Sequence, residues 1–260
     1  MDLSLSGRAY LVTGASSGVG LATARLLLAE GAHVAACARN GERLAAALAD
    51  LPRADGARVH AGACDVLDRE AVAAFVAESA SALGRLDGVV NNAGRSLMAT
   101  VAETSPGQWS EEFRLKIDSV LNTLGAAQQH LLASDAPAVV NVNAILARQP
   151  ESRLGATSAA RAALLNLSKT LAHDLAPVRV NSVLLGLIDT GQWRRRHEAA
   201  GTDQSYETWT GALARDRGIA LGRLGRAEEV AYAILALLSP RASYITGSSI
   251  DVGGGVARHV

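Results

Sequence analysis

The sequence has few cysteines and no long apolar run, the features that mark small secreted proteins and membrane proteins respectively. Only two cysteines, Cys37 and Cys64, occur among its 260 residues, which is too few for a disulfide framework and is typical of a reducing compartment. No apolar run approaches the roughly 18 residues that a membrane span requires. We expect no signal peptide before the first strand-like run at Ala9. The sequence therefore predicts a cytoplasmic protein with no membrane partner.

Net charge and metal-ligand clusters are also absent. The 25 Lys and Arg residues balance the 25 Asp and Glu residues, so the chain has no overall field that would hold a polyanion. Its six histidines show no metal-ligand spacing, and the Gly-x-Ser-x-Gly motif of a hydrolase does not occur. We therefore expect neither a nucleic-acid partner nor a metal site.

The 49% of residues that are hydrophobic form short apolar runs, which alternate with longer amphipathic stretches. Near-continuous apolar runs indicate strands buried on both faces, as in a parallel sheet. The predicted strands are Ala9–Thr13, His33–Ala38, Arg58–Ala61, Leu86–Asn91, Ala138–Val142, Arg179–Leu185 and a short Ser249–Val252. The predicted helices are Gly18–Glu30, Glu42–Asp50, Asp68–Leu83, Pro106–Leu132, Gly155–Leu175 and Ala227–Leu238. This alternation predicts a Rossmann-type α/β fold, with a doubly wound parallel sheet, in a single domain over residues 1–260.

The alternation stops after the sixth strand, where residues 190–219 become more polar. We expect this segment to form a helical insert over the carboxyl edge of the sheet. Trp193 and Trp209 would pack the insert onto the core, or alternatively line an apolar pocket.

Several arginines flank the cleft that this arrangement would create. Arginine clusters suit recognition of phosphate or carboxylate groups, so the substrate would be anionic. The alternative is a solvated helix face, in which the arginines pair with Glu151 or Glu198. The arginines concerned are Arg148, Arg153 and the run Arg194–Arg196.

A glycine-rich turn follows the first strand and opens the first helix. Glycines permit a tight turn and a close approach of the backbone to a pyrophosphate, whose charge then lies at the helix N-terminus. The alternative is an ordinary strand–helix connection, but the strand–turn–helix context favours dinucleotide binding. The residues predicted to bind the cofactor here are Gly14, Ser16, Ser17, Gly18, Val19 and Gly20.

The residue after the second strand indicates which dinucleotide binds. An acid at this place binds the ribose 2′-hydroxyl of NAD(H), whereas an arginine accommodates the 2′-phosphate of NADP(H). The chain has Arg39 and no acid here, which favours NADP(H) over NAD(H). The alternative is a solvated arginine that helps to cap the next helix. Asp65 is placed to touch the adenine edge, although Asp at a strand end is also common turn chemistry.

Further motifs extend over nearly the whole chain, and together they resemble those of the short-chain dehydrogenase/reductase family. The resemblance implies a sheet of seven strands, a nicotinamide cofactor, and a homotetramer or homodimer. It also implies that the cofactor contacts Val66, Asn91, Ala93, Gly94, Arg161, Gly186, Ile188 and Thr190. The motifs are Thr13–Gly20, Cys64–Val66, Asn91–Gly94, Arg179–Ser182 with Gly186 and Thr190, Ile245–Gly247 and Ile250–Gly254.

The sequence departs from this family at the four positions that carry its chemistry. In the family, Tyr protonates the carbonyl oxygen, Ser polarises it, Lys lowers the pKa of the Tyr, and Asn holds a relay water. Alignment of the motifs places Lys116 at the Asn position and Ala144 at the Ser position. It places Thr157 at the Tyr position and Arg161 at the Lys position. A threonine hydroxyl is a far weaker acid than a phenol, so the family mechanism does not carry over unchanged.

A different proton donor is therefore needed, and Lys116 is the candidate. Crowding by Arg161 and by a cationic nicotinamide would lower the pKa of Lys116 and make it a general acid or base. Thr157 and Arg161, four residues apart on one helix, would hold the oxyanion, and Asn143 would orient the substrate. The alternative is that Lys116 only packs, or pairs with Asp118 or a nearby acid.

Tyr206 in the insert is the one tyrosine placed to substitute for the missing phenol. The leading function is an NADP(H)-dependent oxidoreductase that interconverts a small carbonyl compound and an alcohol through a non-standard active site. Two alternatives stay open: a non-redox enzyme for proton transfer or elimination, and a catalytically silent nucleotide-binding protein on the same fold.

Overall fold

A computed structural model describes residues 2–259 and contains a parallel sheet of seven strands in the order β3-β2-β1-β4-β5-β6-β9. The strands are β1 (Ala9–Thr13), β2 (His33–Ala38), β3 (Val59–Ala63), β4 (Gly88–Asn91), β5 (Ala138–Ala144), β6 (Arg179–Leu185) and β9 (Ser249–Val252). A second, two-stranded sheet pairs β7 (Ile188–Asp189) with β8 (Gly225–Arg226). The predicted Rossmann-type α/β fold with seven strands is confirmed.

Helices cover both faces of the large sheet. Apolar residues of α1 (Gly18–Ala29), α2 (Gly41–Ala49) and α8 (Ala227–Leu238) share one core with the strands. The other core contains α3 (Arg69–Leu83), α4 (Pro106–Leu132) and α5 (Gly155–Asp174). Both faces of each central strand are thus buried, which explains why these strands are near-continuous apolar runs. No helix among the described residues is long and apolar enough to cross a membrane.

The boundaries differ from the predicted ones where a partner strand determines them. β3 begins at Val59 and runs to Ala63, two residues beyond the prediction, because its pairing with β2 continues to Ala38. β5 likewise extends to Ala144, which lies opposite Leu185 of β6. Helix ends were easier to predict because local caps mark them: Asp68 accepts from two backbone N–H groups at the start of α3, and Gly84 ends that helix.

The predicted insert is a pair of helices, α6 (Gly191–Ala200) and α7 (Tyr206–Asp216). The two tryptophan rings lie 6.3 Å apart, and Trp193 packs against a small apolar core that includes Ile145 and Ile219. The prediction that the tryptophans pack the insert onto the core is therefore confirmed for Trp193, whereas Trp209 lies against aromatic rings of the insert itself.

The order of the strands determines where a ligand can bind. β1 lies between β2 and β4, so the strands that follow it are added first on one side of β1 and then on the other. At this change of side, a crevice opens outside the carboxyl ends of the parallel strands β1 and β4. The glycine-rich turn after β1 and the Asn91–Gly94 segment after β4 meet at this crevice.

Candidate active site

The turn after β1 packs so closely that two of its glycines have no space for a side chain. A Cβ on Gly14, whose φ is +67°, would lie 2.9 Å from the Cα of Ala93. A Cβ on Gly20 would lie 2.5 Å from the Nδ2 of Asn92 and 2.5 Å from the carbonyl oxygen of Gly14. Glycine is therefore required here by backbone geometry, which agrees with a turn built to approach a ligand closely.

Asn92 fastens this turn to the end of β4. Its Nδ2 donates to the carbonyl oxygens of Thr13 at 2.9 Å and Gly14 at 3.2 Å. In return, the Oγ1 of Thr13 accepts from the backbone N–H groups of Asn92 and Ala93, each at 3.0 Å. Asn92 belongs to one of the motifs identified in the sequence, but its contact with the turn was not predicted, because the two lie 79 residues apart in the chain.

The start of α1 is free to receive a negative charge. Ser17 is the N-cap residue, yet its side chain makes no capping hydrogen bond, and the first turn contains no acidic residue. The first N–H groups of a helix have no intrahelical partner and carry a partial positive charge. Thr190 lies close to this turn, 3.4 Å from where a Cβ on Gly18 would be. The predicted turn residues and Thr190 are thus close to one another.

The loop that contains Thr190 also holds two other predicted cofactor residues. Gly186 donates its N–H to the carbonyl oxygen of Val252 at 2.9 Å, and a Cβ on it would lie 2.7 Å from the Cα of Gly253. Ile188 begins β7 and is buried. These residues hold the loop after β6 against the sheet edge.

The residues after β2 and β3 lie at the other side of the turn. Arg39 is exposed and makes no ion pair within residues 2–259. The cap of α2 is Asn40, whose side chain accepts from the N–H of Arg43 at 2.8 Å, so Arg39 does not serve as that cap. Asp65 accepts from the N–H of Leu67 at 3.0 Å, which is turn chemistry, and Val66 is buried beside it.

A small polar cavity of about 20 Å³ lies where β4 ends, between α4 and α5. It brings together five of the predicted site residues, namely Asn91, Ala93, Gly94, Lys116 and Arg161. Asn91 is held in place by a donation from Thr123 at 2.6 Å and its own donation to Asn141 at 2.8 Å.

Lys116 enters this cavity from α4 and is almost completely buried, with 4% of its surface exposed. Its Nζ donates to the Oε2 of Glu112 at 2.7 Å and to the carbonyl oxygen of Arg95 at 2.9 Å. The alternative that Lys116 pairs with a nearby acid is thus observed, and the acid is Glu112. Asp118, the acid named from the sequence, lies 3.5 Å from Arg114 instead.

Burial lowers the pKa of Lys116 to about 8, because removal from water penalises the ammonium form. The hydrogen bond to Glu112 acts in the opposite direction, and the charges of Arg161 and Arg95 lower the pKa further. The sequence predicted a lowered pKa caused by crowding with Arg161, whereas burial is the larger cause. A lysine with a pKa near 8 can act as an acid or a base close to neutral pH.

Arg161 faces the same cavity from α5. Its Nη1 donates to the carbonyl oxygen of Val142 at 3.0 Å, while its Nε is buried and has no partner within residues 2–259. Burial also lowers the pKa of Arg161, to about 10, against the opposing effect of Glu112. The guanidinium is thus charged at neutral pH and has an unused donor at the site.

Thr157 and Asn143 are placed differently from the prediction that they contact the substrate. The Oγ1 of Thr157 donates to the Oε2 of Glu112 at 2.6 Å, so its single proton is already in use. It also accepts from the N–H of Leu97 at 3.0 Å. Asn143 is fully buried, donates to the carbonyl oxygen of Arg161 at 3.0 Å, and accepts from the N–H of Ala144 at 2.9 Å. Both residues therefore support the site from behind.

Tyr206, the tyrosine predicted to substitute for the missing phenol, is hydrogen-bonded within the insert region. Its hydroxyl donates to the Oδ1 of Asp189 at 2.5 Å, and its ring lies 5.5 Å from that of His197 within the insert. Burial, followed by the hydrogen bond and the charge of Asp189, raises the pKa of Tyr206 to about 12. A hydroxyl with that pKa is a poor proton donor near neutral pH.

The arginines of the insert are engaged in holding it together. The guanidinium of Arg194 lies 4.6 Å from the ring centre of Tyr206, and that of Arg196 lies 4.5 Å from the ring centre of Trp193. Glu151, expected as a partner of the cleft arginines, pairs with Arg217. No group of three potential metal ligands occurs among the residues that the structure describes.

Glu112 contacts two of the predicted site residues, Lys116 and Thr157, and was not itself named from the sequence. A signal was present, because an acid four residues before a lysine on a helix forms a favoured pair. The expected alternative, Asp118, is only two residues away and does not face Lys116.

Comparisons with known proteins agree with this architecture. A family model described as "Enoyl-(Acyl carrier protein) reductase" matches residues 14–257. The chain is 31% identical to a 3-oxoacyl-(acyl-carrier-protein) reductase from Chlamydia muridarum over 99% of its own length and all of that protein. The chain is 50% identical to a short-chain oxidoreductase from Pseudomonas aeruginosa PAO1, with a TM-score of 0.93 over 98% of this chain and 99% of the other. That protein was solved with NADPH and is described as containing an atypical catalytic center.

L-Sorbose reductase from Gluconobacter frateurii, solved with NADPH and L-sorbose, is 31% identical over the full length of both chains, with a TM-score of 0.94. These matches extend along the chain from the glycine-rich turn to the C-terminal strand β9. The chain belongs to the short-chain dehydrogenase/reductase family of oxidoreductases.

Proposed function

We propose that the protein is an NADP(H)-dependent oxidoreductase that interconverts a carbonyl compound and an alcohol, with Lys116 in place of the family's tyrosine as proton donor. The observation that carries the proposal is the cavity at the end of β4. There, the buried Lys116 and the partly buried Arg161 converge with residues expected to line the cofactor. The relatives named above include reductases solved with NADPH, which supports the redox assignment.

The chain fits a dinucleotide on three grounds. The glycine turn packs closely against Asn92, and the Gly14 and Gly20 positions have no space for a side chain, as a tight turn before a phosphate-binding helix requires. The N-terminus of α1 presents N–H groups with no acid nearby. Arg161 lines the cavity, and its Nε is buried and has no partner within residues 2–259. The nicotinamide, when bound, supplies or accepts the hydride.

Arg39 is the basis for NADP(H) over NAD(H). Arg39 is exposed and makes no ion pair among residues 2–259. It directly follows β2, and the end of β2 lies beside the glycine turn, since the carbonyl oxygen of Cys37 accepts from the N–H of Ala15 at 3.1 Å. An arginine at this place can pair with a 2′-phosphate in two hydrogen bonds.

Lys116 has the geometry of a proton donor. An ammonium has three N–H donors, of which Glu112 and the carbonyl of Arg95 use two. The third remains for the carbonyl oxygen of a substrate in the cavity. Its lowered pKa makes transfer of that proton easier than from an ordinary lysine.

Arg161, rather than Thr157, is the second group that stabilises the substrate oxygen. The proton of Thr157 is donated to Glu112, whereas Arg161 retains a free donor and a full charge. In the reductive direction, Lys116 gives its proton to the developing alkoxide while Arg161 balances the charge. In the oxidative direction, the neutral amine of Lys116 accepts the proton of the alcohol.

The substrate class we propose is a small carbonyl compound or alcohol, and we further propose that the chain is a single domain that assembles as a homotetramer. Exposed apolar side chains support self-association: Phe113 and Leu121 lie on α4, and Ile250 lies on the edge strand β9. Light scattering coupled to gel filtration measures the assembly directly.

The proposed function is tested by nucleotide titration and turnover. We expect NADPH fluorescence titration to show tighter binding than NADH, and Arg39→Leu to remove most of that difference. With a panel of ketones and aldehydes, we expect the wild type to oxidise NADPH. We expect Lys116→Met in a Glu112→Gln background to reduce kcat by about 100-fold or more, with NADPH affinity unchanged, because general acid catalysis contributes about 10²–10⁴ in rate.

The matched control is Lys169→Met, since Lys169 is exposed and donates to the carbonyl oxygen of Gly247 outside the site. Unchanged turnover after loss of Lys116 would exclude its catalytic role. Failure to bind either pyridine nucleotide at millimolar concentration would overturn the whole assignment. Tight NADPH binding without oxidation of NADPH by any carbonyl compound would favour a non-redox enzyme or a silent protein.

A further inference from the structure

We propose that Glu112 is a positioning residue for the proton donor: one of its carboxylate oxygens holds both Lys116 and Thr157, which occupy two of the four replaced catalytic positions. This inference rests on the proposed function, in which Lys116 donates the proton. Glu112 itself contacts neither substrate nor cofactor and acts through Lys116.

The geometry is that of a single shared acceptor. The Oε2 of Glu112 receives the Nζ of Lys116 at 2.7 Å and the Oγ1 of Thr157 at 2.6 Å. Glu112 is 1% exposed and Thr157 is fully buried. A carboxylate at this depth loses its hydration, so it must be paired with charged or polar donors. Lys116 from α4 and Thr157 from α5 supply them, which joins the two helices at the site.

The shared oxygen also fixes the direction of Lys116. A lysine side chain is long and flexible, and an ammonium can rotate freely unless its protons are bound. With one N–H donated to Glu112 and one to the carbonyl oxygen of Arg95, only one direction remains for the third. Without Glu112, the Nζ would have one protein partner and no defined orientation in the cavity.

Glu112 also determines how much of the ammonium form is present. The charged groups that act on Lys116 are Glu112 from α4, Arg161 from α5 and Arg95 from the segment after β4. Only Glu112 favours the ammonium, whereas burial and the two arginines oppose it. Removing the charge of Glu112 would therefore increase the fraction of neutral amine at neutral pH, and a neutral amine cannot protonate an alkoxide.

The test uses Glu112→Gln, which keeps the shape and one acceptor but removes the charge. The control is Asp118→Asn, which removes the acid of an exposed pair with Arg114 on the same helix. The chain has only two lysines, Lys116 and Lys169. Isotope labelling at the lysine ε-carbon therefore gives two NMR signals, and the exposed Lys169 serves as the internal reference.

We expect Glu112→Gln to lower the pKa of Lys116 by about one unit or more, since a close opposite charge shifts a pKa by about 1–3 units. The alkaline limb of the pH profile of kcat for carbonyl reduction should move down by the same amount. The pKa of Lys169 and the affinity for NADPH should be unchanged in Glu112→Gln, and Asp118→Asn should alter none of these quantities.

If Glu112→Gln does not fold, Glu112→Asp provides the second measurement, because it keeps the charge but withdraws the oxygen by one methylene. We expect Glu112→Asp to lower kcat with an almost unchanged pH profile and NADPH affinity. An unaltered pKa of Lys116 in Glu112→Gln, or a wild-type kcat in Glu112→Asp, overturns the proposal. If the pKa shift occurs but the wild type reduces no carbonyl compound, the proposed function fails while the pairing role of Glu112 stands.

Discussion

Replacement of Lys116 by methionine removes a buried ammonium and leaves the carboxylate of Glu112 without its charged partner. The two groups are 2.7 Å apart, and their side chains are 3% and 2% exposed, so water cannot replace the missing charge without a change in packing. Thr157 remains as a neutral donor to the same oxygen. Replacement of both residues, as Lys116→Met with Glu112→Gln, removes the charges together and leaves no unpaired ion.

The magnitudes for the two variants differ enough to be measured. Loss of one partner from a buried ion pair costs about 3–5 kcal/mol of unfolding free energy, whereas exchange of both for neutral groups is often close to neutral. For a chain of this size, about 1 kcal/mol corresponds to a change in melting temperature of roughly 2–4 °C. We therefore expect Lys116→Met to lower the melting temperature by roughly 6–20 °C, and the double variant to recover most of that loss.

The assay is thermal unfolding at pH 7 by calorimetry or circular dichroism, with urea unfolding as a second measure. Lys169→Met is the control, because an exposed lysine with a single hydrogen bond to a carbonyl should change the unfolding free energy by less than about 0.5 kcal/mol. A double variant as unstable as the single one would refute the reasoning, since it would show that the stability loss does not come from an unpaired carboxylate.

Three further predictions follow from the same structure. Gly20→Ala should weaken NADPH binding by roughly 5- to 100-fold, because the added Cβ would lie 2.5 Å from the carbonyl oxygen of Gly14 and overpacking costs about 1–3 kcal/mol. The control is Gly125→Ala, in the exposed part of α4 with open space around it, which should be neutral or stabilising. Equal NADPH affinities for Gly20→Ala and the wild type would contradict a role of the glycine-rich turn in cofactor binding. The rate of carbonyl reduction, measured from pH 6 to 10, should fall as the pH rises through about 8, because Lys116 then loses the proton that it donates. The rate of alcohol oxidation should rise over the same interval. A reduction rate independent of pH would argue against a lysine donor. Tyr206→Phe should leave kcat within about tenfold of the wild type. It should lower the melting temperature slightly, because the hydroxyl of Tyr206 is hydrogen-bonded to Asp189. A decrease in kcat of about 100-fold or more would identify Tyr206 as the proton donor instead.

Local signals in the sequence were sufficient to predict most of the fold. α4 runs over Pro106–Leu132 as predicted, because Ser105 and Gln108 form a capping box around a proline at the first helical position. The ends of β3 and β5 were less accurate, since their lengths depend on the partner strands beside them. Pairing between strands is a non-local property, which a pattern of apolar residues does not encode.

The site shows the same division between local and non-local information. That Lys116 and Arg161 face one cavity was predicted, because the alignment of their motifs with those of the family placed both at catalytic positions. The hydrogen bonds of Thr157 and Asn143 were not predicted, since they depend on how α5 contacts α4 and β5. The role of Asn92 likewise depends on the contact between the turn after β1 and the end of β4.

We propose that the buried groups at the site are mutually dependent, which accounts for the joint departure of positions 116 and 157 from the residues that the family resemblance implies. A lysine placed at position 116 is almost completely buried, and it needs an acid within reach to carry a charge there. Glu112 provides that acid, and the same carboxylate oxygen also accepts from the hydroxyl of Thr157. A tyrosine restored at position 157 would project beyond this oxygen and displace the pair. We therefore infer that the family's usual residues cannot be reintroduced one at a time, and that recovery of the usual mechanism would require positions 112, 116 and 157 to change together.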